Sequence, residues 1–175
     1  WDRGANLAAK AIFRSIGQNN NSSLANGAGN DLNISLNSDG HSVANFNSAV
    51  ANNIGVGDVI EYDQDNAGGV DSLAFISKRI DAQNFIVKNA QGENAILTNT
   101  ATQVWNIFRA YDSIAASDDA NENSAFNAVL RDFDTWSGGR DMVANNEQWN
   151  YVLYADEKFN QTINLTSTWT SSSQN

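Results

Sequence analysis

Cysteine and proline are both absent from the 175 residues, and histidine and methionine occur once each. Without cysteine there is no disulfide framework, no thiolate metal centre and no thiol nucleophile. That absence leaves the compartment open, since cytosolic proteins and bacterial surface proteins alike can do without it. The single histidine, His41, follows Asp39-Gly40 in a turn sequence and reads as an exposed residue with no catalytic partner. No apolar run approaches the ~20 residues that cross a bilayer, so the chain reads as soluble, with no membrane insertion. Trp1-Asp2-Arg3 and the Ala-rich stretch after it lack the apolar segment of a signal peptide; a secreted form would already have lost its leader. Positive charge is scarce as well. Ten bases stand against twenty acids, and a net charge of -10 opposes nucleic acid and anionic membranes as partners.

Asparagine is abundant, at 27 residues, and the hydrophobic share is 41%. A chain of this length can bury about 70% of its unfolded surface, enough for a self-sufficient core. Low charged content (17%) with abundant Asn, Ser and Thr suits a secreted, cell-surface β-rich protein better than a cytosolic helical enzyme.

The dominant periodicity is two, the mark of strands. In Asp31–Ser38, Leu32, Ile34 and Leu36 share one face and Asn33, Ser35 and Asn37 the other, before a Ser38-Asp39-Gly40 turn. Val56–Tyr62, Ser72–Ser77 and Phe85–Lys88 read as an antiparallel meander. Gln103–Tyr111 and Gln148–Ala155 are further strands, and Thr162–Thr170 alternates Ile163, Leu165 and Trp169 with Asn and Thr. Residues 11–16 repeat the Ile-Phe-Arg of residues 107–109, which favours a strand there. One stretch has helical spacing: Phe126, Val129, Leu130 and Phe133 fall at i, i+3, i+4 and i+7, preceded by capping residues in 117–123. The expected fold is therefore mainly β, either an antiparallel sandwich or barrel-like body or the short start of a β-solenoid. One amphipathic helix is expected around 120–135. The expected organisation is an N-terminal strand and polar tether (1–23), one β-rich domain (24–170) and a polar tail (171–175).

The most distinctive loop is Asp63-Gln-Asp65-Asn-Ala-Gly68-Gly69-Val-Asp71. Calcium takes six to eight oxygen ligands, and a loop with acids at alternate positions and a Gly at the bend supplies them. Counting from Asp63, Asp65 is position three, Gly68 six, the Gly69 carbonyl seven and Asp71 nine. Position five is Ala67 and position twelve is Ala74, neither of which is a ligand. A Ca2+ site built from Asp63, Asp65, Gly69 and Asp71 is one reading. A solvated turn made of ordinary turn residues is the other. Asp118, Asp119, Asp132 and Asp134 read as caps and surface charge.

No catalytic pattern accompanies these features. Ser137 in Trp-Ser-Gly-Gly lacks the strand–elbow–helix setting of a hydrolase nucleophile, and Gly55-Val-Gly57 leads into a strand where a phosphate loop would need a helix. Arg109, Arg131 and Arg140 have acids nearby in sequence and read as structural ion pairs. Trp105, Trp136, Trp149 and Trp169 read as core, with stacking on sugars as the alternative. Acceptor patterns for glycosylation at Asn20, Asn21, Asn33, Asn160 and Asn164 hint at a surface-exposed life.

Segments from Asn53, Tyr62, Val104, Phe133 and Tyr154 together resemble a module of large secreted or surface bacterial proteins that precedes right-handed parallel β-helix regions. The resemblance covers roughly residues 53–156, and Ala67 departs from the fuller calcium-like loop of that group. It implies a surface location and no particular chemistry.

The functional expectation rests on the two ends. Ala11, Ile12, Phe13 and Ile16 form an apolar strand on a polar tether, Gln18–Ser23; Ile163, Leu165 and Trp169 form another before the tail. Tethered terminal strands can complete the sheet of a neighbouring copy, giving a non-catalytic subunit of an extracellular filament whose partner is itself. The alternatives are a calcium-dependent module that binds surface glycans, and the leading module of a β-helix polysaccharide-active protein.

Overall fold

The computed structural model describes residues 8–17, 21–136, 139–156 and 169–171. Its fold is mainly β. A seven-stranded antiparallel sheet contains β2 (Ala25–Asn26), β3 (Leu32–Leu36), β4 (Ser42–Phe46), β5 (Val59–Tyr62), β6 (Ser72–Arg79), β7 (Asn84–Lys88) and β8 (Trp105–Phe108). Their spatial order is β2-β8-β5-β6-β7-β4-β3, and the sheet curls into a half-barrel. A second sheet consists of β1 (Lys10–Gly17) and β9 (Glu147–Tyr154), paired in parallel.

The side chains of the central strands explain the layering. On one face of the curled sheet Ile60, Tyr62, Ile76, Phe85 and Ile107 join Leu32, Ile34 and Phe46 in a core cluster. The alternate residues Val59, Phe75 and Phe108 point the other way and join Ile16, Tyr111, Ile114 and Phe126 in a second cluster. Because successive strand residues face opposite sides, a sheet covered on both faces needs apolar residues throughout. β5 is accordingly buried at all four positions, Glu61 included. Glu61 is satisfied by the Asn106 side-chain amide at 2.9 Å and the Asn127 backbone amide at 2.9 Å. The second cluster is closed by β1, β9 and the segment 110–134, which places β1 inside the body.

The edges of the large sheet are protected. β2 is two residues long, and β3 exchanges backbone hydrogen bonds with Thr102 and Thr98 beyond it. Free backbone groups on an edge strand invite pairing with other chains, and here little of that edge is left open.

The helix expected around 120–135 does not form. Helical residues lie instead in α1 (Ile114–Asp118), α2 (Met142–Asn145) and a 3-10 turn at Ala128–Leu130. Phe126 and Phe133 do pack inward, their rings 5.7 Å apart, but Val129 is 77% exposed. Side chains have taken over the backbone groups a helix would use. Asn127 accepts the Val129 amide, Glu122 accepts the amides of Asp132 and Asp134, and Arg131 donates to the Ser124 and Phe126 carbonyls. Such local competition is why Asn and Asp favour turns over helix interiors. Left-handed backbone at Ala120 and Asp132 closes both ends of the segment.

Candidate functional site

The acidic loop connects β5 to β6. Asp63 leaves β5 with its amide bonded to the Val104 carbonyl, and the Asp71 amide bonds the Tyr62 carbonyl, so both stems are pinned to the sheet. Asn66 and Gly68 take positive φ, 64° and 102°, which turns the chain back on itself. The carboxylates of Asp63, Asp65 and Asp71 each bring an oxygen within 4.8 Å of the others. Asp63 is fully covered, whereas Asp65 and Asp71 face solvent.

The loop folds around Asp63. Its Oδ2 accepts the Gly68 amide at 2.7 Å and its Oδ1 the Ala67 amide at 3.2 Å. Asp65 Oδ1 accepts the Ala67 amide at 3.0 Å, and Asp71 Oδ1 the Gln64 amide at 2.9 Å. Desolvation pushes the Asp63 carboxyl upward, but the amides of Gly68, Asn66 and Ala67 outweigh it and hold it below its usual value. The group is thus ionised and aimed inward. Three carboxylates and the Gly69 carbonyl are hard oxygen donors that fit calcium chemistry, with the remaining ligands left to water. Ala74 is buried in β6, so nothing stands where a twelfth-position carboxylate would.

A second construction surrounds β1. On one edge its residues pair with β9 from Lys10 opposite Glu147 to Gly17 opposite Tyr154. On the other edge, the Ser15 amide bonds the Gly57 carbonyl at 2.9 Å, and Ser15 and Gly17 exchange bonds with Tyr111 at 3.0 Å. Ile12 and Ile16 are buried, while Ala11 and Phe13 are partly covered. Gly57 makes the approach possible: at φ 88° a Cβ there would lie 2.5 Å from the Ser15 nitrogen.

Within this slot Arg14 is 1% exposed. Its Nε and Nη2 each lie 2.7 Å from an oxygen of Asp134, and its guanidinium sits 3.9 Å from the centre of the Phe75 ring. The Tyr111 hydroxyl donates to the same carboxylate. Arg109 forms a matching node: it donates to both oxygens of Asp58 and both of Asp156, and its guanidinium sits 3.6 Å from the Tyr154 ring centre. Burial lifts the Asp58 carboxyl to about 6 against the pull of Arg109.

Ala11, Ile12, Phe13 and Ile16 thus come together in one strand. Trp169 lies elsewhere, its indole N–H donating to Asp118 Oδ1 at 2.6 Å and its ring 5.9 Å from Trp136. Ile163 and Leu165 lie outside the described residues. Sequence reasoning missed Arg14, Asp134, Asp58 and Gly57; Arg109 is the structural ion pair it expected, but with the distant Asp58 and Asp156 in place of an acid nearby in sequence. The Ile-Phe-Arg echo was the available signal: both copies place an arginine, Arg14 and Arg109, in a buried bidentate pair. No family model, curated protein or solved structure matches the chain.

Proposed function

We propose that the chain is a non-catalytic structural subunit of an extracellular or cell-surface assembly, joined to copies of itself by exchange of β1. The observation that carries this reading is the makeup of the slot. The partners of β1 lie in distant parts of the chain: Gly57, Ala90, Glu93, Tyr111, Asp134, Asn146 and β9. Exchange of an identical strand preserves each contact, so the swapped and closed forms differ mainly in the tether. The slot also demands an occupant. Emptying it exposes Ile16-facing apolar surface and strands the Asp134 carboxylate without its arginine, a costly state. Exchange of β1 adds a strand without needing the edges of the large sheet, which are short or already bonded. A chain lacking residues 1–17 should recover its thermal transition when a synthetic peptide of residues 8–17 is added. Failure of the peptide to bind would remove the basis of the proposal.

A second reading concerns the acidic loop: we infer that Asp63, Asp65, Asp71 and the Gly69 carbonyl hold a calcium ion that stiffens the β5–β6 connection. Its support is the convergence of the three carboxylates around an ionised, covered Asp63. Calcium titration followed by thermal denaturation tests it.

A further inference from the structure

Two buried arginine nodes flank β1, and they differ in how charge is shared. Around Arg14 one guanidinium serves one carboxylate, Asp134, with the Tyr111 hydroxyl as a further donor. Around Arg109 one guanidinium is divided between two carboxylates, Asp58 and Asp156. Asp156 keeps 19% of its side chain exposed, whereas Asp58 and Arg109 keep none. Asp58 is therefore a sealed negative charge whose partner offsets it only in part, and sealing such a charge is costly. The seal is β1 itself. A Cβ on Gly17 would lie 2.4 Å from Asp156 Oδ2 and 2.7 Å from Arg109 Cγ, so bare backbone of the strand lies against the node. The Ser15 hydroxyl accepts the Ala110 amide at 3.0 Å and lends Asp58 a hydrogen bond. The other walls bring Tyr154 of β9, stacked on Arg109, and the Gly55 amide, 2.9 Å from Asp58 Oδ2. Arg79 of β6 is half-buried, donates to the Ala51 and Ile54 carbonyls, and is felt at Tyr154.

Two events relieve the cost at Asp58: a proton taken up while β1 is seated, or water admitted when β1 leaves. We propose that β1 seats with uptake of a proton by Asp58, so that a rise from mildly acidic to neutral pH frees the strand for exchange. This names the regulation of the exchange site and rests on the exchange reading. The sealed Asp58 carboxyl has the direction required, lifted by burial to about 6 against the pull of Arg109. A proton held more tightly in the sealed state favours sealing at low pH, and that advantage is lost as pH rises through 6. With 3.8 as the value in water, seating is about tenfold weaker at pH 8 than at pH 5. Closed and exchanged forms bury the node alike, so pH sets the rate of exchange and not the balance between forms. Glu122 stands apart: it accepts the amides of Asp132 and Asp134, and so acts on the body and not on the seal.

Hydrogen exchange of the intact chain reads the seating directly, at the Ser15 and Gly17 amides that bond Gly57 and Tyr111. After correction for the intrinsic pH dependence of amide exchange, their protection should be about tenfold lower at pH 8 than at pH 5. Asp58→Asn should abolish that fall, and Glu122→Gln should keep it. Asp156→Asn, which gives Arg109 wholly to Asp58, should remove most of it and serves where Asp58→Asn does not fold. Native mass spectrometry of mixed ¹⁴N and ¹⁵N copies then reads exchange, expected to be about tenfold faster at pH 8. Protection that falls while labelled copies never mix would refute strand exchange and leave the proton link standing. Protection that stays level between the two pH values, or a fall that survives in both Asp58→Asn and Asp156→Asn, would overturn the proposal.

Discussion

Arg14 and Asp134, 120 positions apart in sequence, meet through two hydrogen bonds of 2.7 Å with 1% and 3% of their side chains exposed. The pair ties the first strand to the segment before β9. Breaking a buried pair from one side leaves an uncompensated charge, which costs about 3–5 kcal/mol. Asp134→Ala should destabilise by that amount in urea denaturation. Combining Arg14→Met with Asp134→Leu should return most of it, because both charges are then gone. If the double variant is as unstable as the single one, the pair is not what holds the strand.

Gly57 and Gly69 form a matched comparison. At Gly57 a methyl group collides with the Ser15 amide and the Arg14 carbonyl carbon at 2.5 and 2.6 Å, whereas at Gly69 it meets nothing within 4 Å. Gly57→Ala should loosen β1, read as faster proteolytic cleavage within residues 18–23. Gly69→Ala should leave cleavage unchanged. Equal rates in the two variants would mean that β1 is not seated against Gly57.

Stability should fall as pH rises toward neutrality. Burial lifts the Glu122 carboxyl from 4.5 to about 7, against the amides of Asp134 and Asp132 and with the charge of Asp134 adding to burial. A carboxyl whose pKa is higher in the folded state binds its proton more tightly there. Its contribution is complete below about 4.5 and fades as pH rises through 7. The urea midpoint should therefore be higher at pH 5.5 than at pH 8. Glu122→Gln should shrink that difference, leaving the part due to Asp58, which burial raises to about 6. An identical difference in the variant would contradict the assignment.

Calcium at one hundred times its dissociation constant adds about 2.7 kcal/mol to a protein that binds it only when folded, or about 5–10 °C for a chain of this size. The intact chain should show that increment, and Asp63→Asn with Asp71→Asn should abolish it. A shift of the same size in the double variant would place the ion elsewhere.

Much of the fold was legible because strands announce themselves locally. Leu32 and Ile34 alternate with Asn33 and Ser35, and the structure seats the first pair inside. β4 was missed because Ser42 and Ala44 fill two of its inward positions, so its pattern lacks contrast. The 126–133 stripe has helical spacing, yet Glu122, Asn127 and Arg131 supply the backbone partners of a tighter irregular path. That outcome depends on side chains meeting across the fold, which spacing does not report. The acidic loop was visible whole, because its residues are contiguous. The slot was not: Arg14, Gly57 and Asp134 converge only after folding.

The most direct measurement is native mass spectrometry of a chain with residues 18–23 deleted, which joins Gly17 to Leu24. Within one copy those residues bond Tyr111 and Ile107, four positions apart and on the order of 10 Å, too far for one peptide step of about 3.8 Å. Exchange between copies is unaffected. Folded dimers or longer chains that retain the β-sheet signal are the predicted result. A folded monomer, or a monomer with β1 released and no oligomer at any concentration, would contradict strand exchange.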